Sequence, residues 1–540
     1  MSRELSCSGL SPAITRRRSW DWRVALVLVI GLAAVVRLAH LGHSSLTGDE
    51  AARAHNAWSA SWDLVRWFPP LQYAILWTTR HAVGESEFVL RLPNALAGLA
   101  CVVVLFLFVR KHVDPWSGVC VATVAAFHAE LLIYSRMIKE FSIEALMCAL
   151  VTWMGVEAYQ TLTRKRLLAF LSVALLSIGL TYTGPLVAGS WVMVLAWGAA
   201  RNHAERRRRL TDLACLVGVL TLAGVLSLLW FSGAHHRGDA SVWYGGFGGA
   251  WPKDYHIATL AQWFARQSYG ALQFLLGIKR IWWGFEPPAD TLIAGFGIML
   301  AAASVSGLWR RLPSFCVASM LIFGFTVAAG ALKLWPYGPY HMMSFLVPFM
   351  CILIGCGLRG IAGKLGPSLS FATIVVMCVL IPGARAVRDT VITPSETQQL
   401  GPVLQYVDQH VQPGDGIFAY YATEPALRYY WKRDDIDILF QPRDHRGHLK
   451  EFAQLFESFM GDHERVWFVF THTWYDEQDV WVAYLKERYR LVDSLVVSDA
   501  FTHLFEPISE DGPSDTVEVL SKYTGLSGVP RKEPRNPQHP

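Results

Sequence analysis

Apolar residues run along this chain in long blocks, separated by short basic or aromatic stretches. A helix needs about 20 mostly apolar residues to cross a bilayer. That ruler places spans near 24–42, 91–109, 116–134, 142–162, 167–184, 186–200, 212–231, 291–309, 314–332, 341–358 and 368–385. The fold class expected is therefore an all-α polytopic membrane protein with about eleven transmembrane helices and a transmembrane domain over 24–386. Near residue 390 the pattern changes. PVLQYVDQHV has helical spacing, Pro413–Asp415 marks a turn, GIFAYY and RVWFVFTH read as strands, and helices are expected around Pro425–Trp431 and in WVAYLKERY. With YRLVDSLVV and FTHLFE closing the pattern, residues 387–508 read as a small α/β domain, and 509–540, rich in Pro, Gly, Ser and charge, as a disordered tail.

Composition agrees with the membrane reading: of 540 residues, 53% are hydrophobic and only 17% charged, and 22 are Trp. The net charge of +5 is small for this length, and the basic residues fall in clusters between apolar blocks, so they mark topology and not a nucleic-acid surface. Arg16, Arg17, Arg18 and Arg23 precede the first block, and alternate later connections carry Arg110 and Lys111, Arg164 to Arg166, Arg206 to Arg209, Arg310 and Arg311, and Arg359 and Lys364. Basic flanks stay cytoplasmic. Residues 1–23 are thus expected inside, and the loops 43–90, 135–141, 232–290 and 333–340 and the C-terminal domain outside a plasma or inner membrane. The first apolar run is too long for a signal peptide and reads as an uncleaved anchor. The Trp-rich stretches 51–83 and 251–283 are expected to lie along the membrane interface. Nine cysteines, all but Cys7 in apolar blocks, give neither a disulfide framework nor a zinc spacing.

Two acidic clusters stand out at the outer ends of spans. LTGDEA places Asp49 and Glu50 just beyond the first span; taken alone, such a pair caps the helix that follows. YSRMIKEFSIEALMC packs Arg136, Lys139, Glu140 and Glu144 together, and a fourth helix starting near Ser135 would put Arg136, Glu140 and Glu144 on one face. An ionisable side chain inside the bilayer costs about 2.5–3.5 kcal/mol on insertion scales, so it faces a cavity or a partner. Carboxylates beside Lys and Arg suit group transfer from a phosphate-linked lipid: the cations bind phosphate, and a carboxylate accepts the proton of an incoming hydroxyl. A non-catalytic lipid or solute transporter is the competing class; it would show two related halves with interrupted helices, and no such internal symmetry is evident.

The order LTGDEA, PPLQYAIL at Pro69–Leu76, GESEFVLRLPNALAG at Gly84–Gly98 and YSRMIKEFSIEAL resembles the N-terminal half of the GT-C membrane glycosyltransferases of family 39, which include protein O-mannosyltransferases and lipid A aminoarabinose transferases. The resemblance covers about 24–200 and implies a polyprenyl-phosphate sugar donor, an extracytoplasmic acceptor, and an inverting displacement with Asp49 as base and Glu50 beside it. By position it also carries over Arg91, Lys139 and Glu144; helical geometry adds Arg136 and the neighbouring Glu140. The chain departs from the family at Phe68, where members often have His or a charge, and in WPYGPYHMMSF, which lacks their arginine and offers Lys333, Tyr337, Tyr340 and His341. No cofactor is called for; the lipid-linked sugar is a substrate, and a divalent metal is left open. His235, His236 and Asp239, His445 and His448, and His472 with Asp476 and Glu477 read as solvated loop residues, and the glycine-rich Tyr244–Trp251 follows no βαβ strand.

Overall fold

The computed structural model describes residues 21–59, 69–201, 206–232, 250–277, 298–299, 301–302, 304–365, 387–392, 398–442, 449–472 and 477–508. The expected span at 368–385, part of that at 291–309, the basic N-terminus to residue 20 and the tail at 509–540 lie outside them. The chain is mainly helical. In order come α1 Trp22–Leu38, α2 Gly48–Ser59, α3 Pro70–Ala82, α4 Glu87–His112, α5 Pro115–Phe127, α6 Ala129–Tyr134, α7 Phe141–Thr161, α8 Arg164–Leu180, α9 Gly184–Arg201, α10 Arg206–Ser232, α11 Ile257–Leu275, α12 Pro313–Ala331 and α13 Val347–Leu365. Among the described residues four helices are long and apolar enough to cross a membrane: Glu87–His112, Phe141–Thr161, Pro313–Ala331 and His341–Gly360. Their shared core runs through Ala33, Phe106, Val121, Ala145, Trp191, Phe315 and Val347. On α1, small and β-branched residues at a spacing of three or four (Ala25, Val29, Ala33, Val36) are buried, while Val24, Val27, Leu28, Leu32 and Val35 are exposed. A helix apolar on both its packed and its open face suits lipid on the outside.

The span expected over 116–134 is broken. Residue His128, with extended φ −61 and ψ 120, separates α5 from α6, and the helical hydrogen bonds lost at the break are replaced by side chains. The buried Arg37 guanidinium donates to Ala126 O at 2.9 Å and Ala125 O at 3.2 Å, and His128 Nε2 meets Leu275 O at 2.9 Å. A buried carbonyl left unsatisfied costs about 1–3 kcal/mol. Arg37→Met is therefore expected to lower the thermal midpoint of the detergent-purified protein, and Arg37→Lys to lower it less; equal midpoints for parent and Arg37→Met would rule out this role.

The fourth expected span, α7, also differs from expectation. It starts at Phe141, and residues 135–140 form a turn, so Arg136 shares no helical face with Glu140 and Glu144. Arg136 points the other way and donates to the carbonyls of Val36, Arg37 and Ala39, at 3.0, 3.1 and 2.7 Å. The orphan carbonyls at the end of α1 thus find a cation, the favourable charge for that end of a helix.

Residues 398–508 build a five-stranded sheet with helices. In sequence these are α14 Leu400–His410, β1 Asp415–Ala419, α15 Glu424–Tyr430, β2 Asp437–Phe440, α16 Leu449–Gly461, β3 Arg465–Thr471, α17 Glu477–Arg488, β4 Tyr489–Val497 and β5 Ala500–Pro507. Strand order is β2-β1-β3-β5-β4, parallel among the first three and antiparallel in the last two pairings. The strand β2 and helix α16 were not among the elements expected from the sequence. The unit does not stand apart: one hydrophobic cluster joins Leu46, Ala51, Ala54, Leu90 and Ile138 of the membrane part to Leu400, Val403, Ile417, Leu427 and Trp467.

Candidate active site

The site is built around α2. Its first turn is a reciprocal capping box: Thr47 Oγ1 accepts from Glu50 N at 3.4 Å, and Glu50 Oε2 accepts from Thr47 N at 3.1 Å. The T-x-x-E spacing of Thr47-Gly48-Asp49-Glu50 dictates this arrangement, and it sends the two adjacent carboxylates in different directions. Glu50 turns inward and Asp49 outward.

Glu50 is 1% exposed. Arg91 grips it from α4 with Nε to Oε1 and Nη2 to Oε2, both 2.9 Å, and Ile138 N donates to Oε1 at 2.8 Å. Arg91 also donates to the carbonyls of Leu41, Ser44 and Ser45, at 3.1, 2.8 and 2.9 Å. Burial pushes the Glu50 carboxyl up, but the Arg91 charge and its hydrogen bonds outweigh that and hold it below its ordinary value. With both oxygens engaged, Glu50 has no lone pair directed at a substrate. The sequence reading grouped it with Asp49 as catalytic; the geometry makes it and Arg91 a clasp that joins α2, α4 and the 135–140 turn.

Asp49 is open, its side chain 74% exposed, and its Oδ2 accepts from Lys139 Nζ at 2.6 Å. The Lys139 ammonium holds the Asp49 carboxyl well below the usual carboxylate range, against the opposing effect of its crowded surroundings, and Arg53 and His341 act in the same direction. Arg53, one helical turn beyond Asp49, pairs with Glu140 at 2.8 Å and donates to Ile138 O at 3.3 Å. Burial pulls the Arg53 guanidinium down, and the surrounding acidic groups, Glu140 foremost with Tyr182, Asp49 and Glu50, together more than reverse this. Glu144, in the first turn of α7, is buried and its Oε1 accepts from Tyr182 N at 3.1 Å. The His341 ring lies 4.7 Å from that of Phe141 and 6.0 Å from that of Tyr134.

Asp49, Lys139, Glu140, Glu144 and His341 therefore surround one region, while Arg136 serves α1. Tyr337 is fully buried, its hydroxyl 2.8 Å from Ser268, and Lys333 lies over the Tyr255 ring. Arg53 was missed by the sequence reading; its four-residue spacing from Asp49 in GDEAAR is the signal that could have found it. Beside Arg53 a shallow open groove lies between α3 and α4, lined by Gln72, Leu76, Leu90, Asn94 and Ile143 among others. Among the described residues no three His, Cys, Asp or Glu side chains are placed to hold a metal ion.

The fold, an interrupted helical bundle joined to a small α/β unit, is shared by solved structures. ArnT from Cupriavidus metallidurans matches with a TM-score of 0.54 both in the apo state and bound to undecaprenyl phosphate; identity is 15%, with 89% and 91% of this chain and 97% and 99% of that one covered. The oligosaccharyltransferase AglB from Archaeoglobus fulgidus, in complex with an inhibitory peptide and a dolichol-phosphate, matches at a TM-score of 0.51 and 11% identity over 93% of this chain and 76% of that one. No protein-family model and no curated protein matches the sequence.

Proposed function

We propose that this chain is an inverting membrane glycosyltransferase that takes a sugar from a polyprenyl-phosphate donor and attaches it to an acceptor outside the cytoplasm. The observation that carries the proposal is the contrast within one dipeptide: Glu50 is buried and saturated, whereas Asp49 is open and, among the described residues, hydrogen-bonded through its side chain to the flexible Lys139 alone. The fold it shares with proteins solved around undecaprenyl phosphate and dolichol-phosphate supports the donor class.

In this reading Lys139 has two partners in turn. At rest it neutralises Asp49, which is then a poor base. Donor phosphate recruits Lys139, a point-charge phosphate binder, with Arg53 and His341 nearby. Released from its cation, Asp49 gains basicity and takes the proton of the acceptor hydroxyl as that oxygen bonds to the anomeric carbon. The bond from that carbon to the phosphate oxygen breaks on the opposite face, and the polyprenyl phosphate leaves carrying the electron pair. The groove beside Arg53, apolar at Leu76, Leu90 and Ile143 and polar at Gln72 and Asn94, fits the junction between a lipid chain and a polar headgroup.

The direct test is transfer from a labelled lipid-linked sugar by membranes carrying the protein, paired with mass spectrometry of glycans and glycolipids from a deletion strain. A strain with unchanged envelope glycans, together with membranes that transfer nothing, would count against the proposal. A second expectation follows from the charge on Asp49. Lys139→Met is expected to raise the donor KM by about tenfold, the value of roughly 1.4 kcal/mol of lost charge-assisted binding. The same variant removes the cation that keeps Asp49 ionised, so the acid limb of kcat/KM moves to higher pH, towards the ordinary carboxylate value of about 3.9. A limb that stays in place would sever Asp49 from the rate.

A further inference from the structure

The α/β unit has a topological switch point between β1 and β3: the chain leaves β1 towards β2 on one side and leaves β3 towards β4 and β5 on the other. In open α/β sheets the crevice at the carboxyl ends of such strands is where a ligand binds. Here the beginning of α2 occupies it. Gly48 lies against Ala422, in the loop after β1, and Gly48 N donates at 2.8 Å to Gln398 Oε1. The amide of Gln398 is oriented from behind by His472, just past β3, whose Nδ1 is 2.9 Å from Gln398 Nε2.

This is one of several bonds of the same kind. Ser45 N donates to Gln399 Oε1 at 3.2 Å, Leu46 N donates to Tyr430 OH at 2.7 Å, and Gly401 N donates back to Ser45 Oγ at 3.1 Å. Thr47 N is taken by Glu50 inside the capping box. The backbone N–H groups of Ser45 and Leu46, in the segment that leads into α2, and of Gly48, which the helix start leaves without an intrahelical partner, are thus held by side chains 354, 384 and 350 residues further along the chain. Three non-glycine residues in the left-handed region meet at this contact: Gln398 at φ 54, His472 at φ 56 and Asp499 at φ 52, with His472 N donating to Asp499 O at 3.4 Å. Such backbone persists only where its surroundings over-determine it, and it concentrates at working sites.

We propose that Gln398, Gln399 and Tyr430 are positioning residues: the α/β unit holds the start of α2 in its own ligand crevice and so sets the distance between Asp49 and Lys139. None of the three touches a reacting atom; each acts through α2. The inference rests on the reading of Asp49 as the base, but the contact itself can be tested apart from that reading.

The experiment uses the full chain in lipid nanodiscs, with Gln398→Leu, which keeps the shape and loses the acceptor, Gln398→Glu, which keeps an acceptor oxygen, and Tyr430→Phe as a second, milder break. Hydrogen exchange of amides 45–50 is expected to rise in Gln398→Leu and Tyr430→Phe and to return towards the parent value in Gln398→Glu. In the transfer assay kcat is expected to fall by about tenfold with donor KM changed by less than about twofold, the pattern of a group that acts only in the transition state. The acid limb of kcat/KM should shift as the Asp49–Lys139 pair loosens, which mere loss of folded protein does not produce. Unchanged exchange in both Gln398→Leu and Tyr430→Phe overturns the proposal, as does a loosened contact that leaves kcat and the pH profile at parent values. Loosened exchange in a chain whose parent transfers no sugar supports the brace on α2 and overturns the assigned reaction.

Discussion

Asp49→Asn is expected to reduce turnover by roughly 100- to 10,000-fold, the usual worth of a general base, while donor binding is retained or tightened. The asparagine keeps the volume of the side chain and an oxygen that can accept from Lys139, so the site is not emptied. It removes the negative charge that competes with donor phosphate for the Lys139 ammonium, 2.6 Å away in the parent. Because the Asp49 side chain is largely exposed and makes no clasp with the core, the folded protein should be recovered in parent amounts. Single-turnover transfer from a labelled lipid-linked sugar, together with direct titration of the lipid phosphate, separates the two effects. Turnover within about threefold of the parent would remove Asp49 from the chemistry. Loss of donor binding equal to the loss of rate would make it a binding residue instead.

How far this could be read from residues alone varies along the chain. Long apolar blocks announce their own helices, because the bilayer fixes their length, and the acidic and basic clusters mark the site because charges are costly near hydrocarbon. What spacing could not supply was direction. Asp49 and Glu50 are neighbours in sequence, yet the capping box at Thr47 turns one inward and leaves the other open. Arg136 looked like a partner of Glu140 by periodicity, but that argument needs a helix through 135–140, and the chain makes a turn there so that Arg136 can reach the end of α1. The break at His128 was hidden for a similar reason. Its compensation comes from Arg37, some 90 residues earlier, and a local pattern carries no trace of a partner so distant. In the α/β unit the strongly apolar strands β1 and β3 were legible, whereas β2, four residues at the sheet edge with mixed exposure, lacks the alternation that identifies a strand. Gln398 and Gln399 were invisible for want of any motif: their chemistry is two ordinary amides, given meaning only by the backbone they meet.

The second large effect is expected in stability. Glu50→Gln leaves the Arg91 guanidinium buried without its anion, and breaking a buried pair from one side costs about 3–5 kcal/mol because an uncompensated charge remains. The clasp also fixes three segments at once, since Arg91 holds the carbonyls of Leu41, Ser44 and Ser45 while Glu50 holds Ile138 N. Glu50→Gln and Arg91→Met should therefore each melt well below the parent in detergent, and hydrogen exchange should rise in the 41–50 and 135–140 stretches together. The double variant Glu50→Gln with Arg91→Met should lose less than the two single losses added together, because it removes the stranded charge along with its partner; that shortfall is the coupling energy of the pair. The result separates two meanings of an acidic residue beside an active site. A Glu50 that took part in proton transfer would give a Gln variant as stable as the parent but inactive, whereas a Glu50 that serves as a clasp gives one whose remaining folded molecules still carry Asp49 and Lys139 and still turn over.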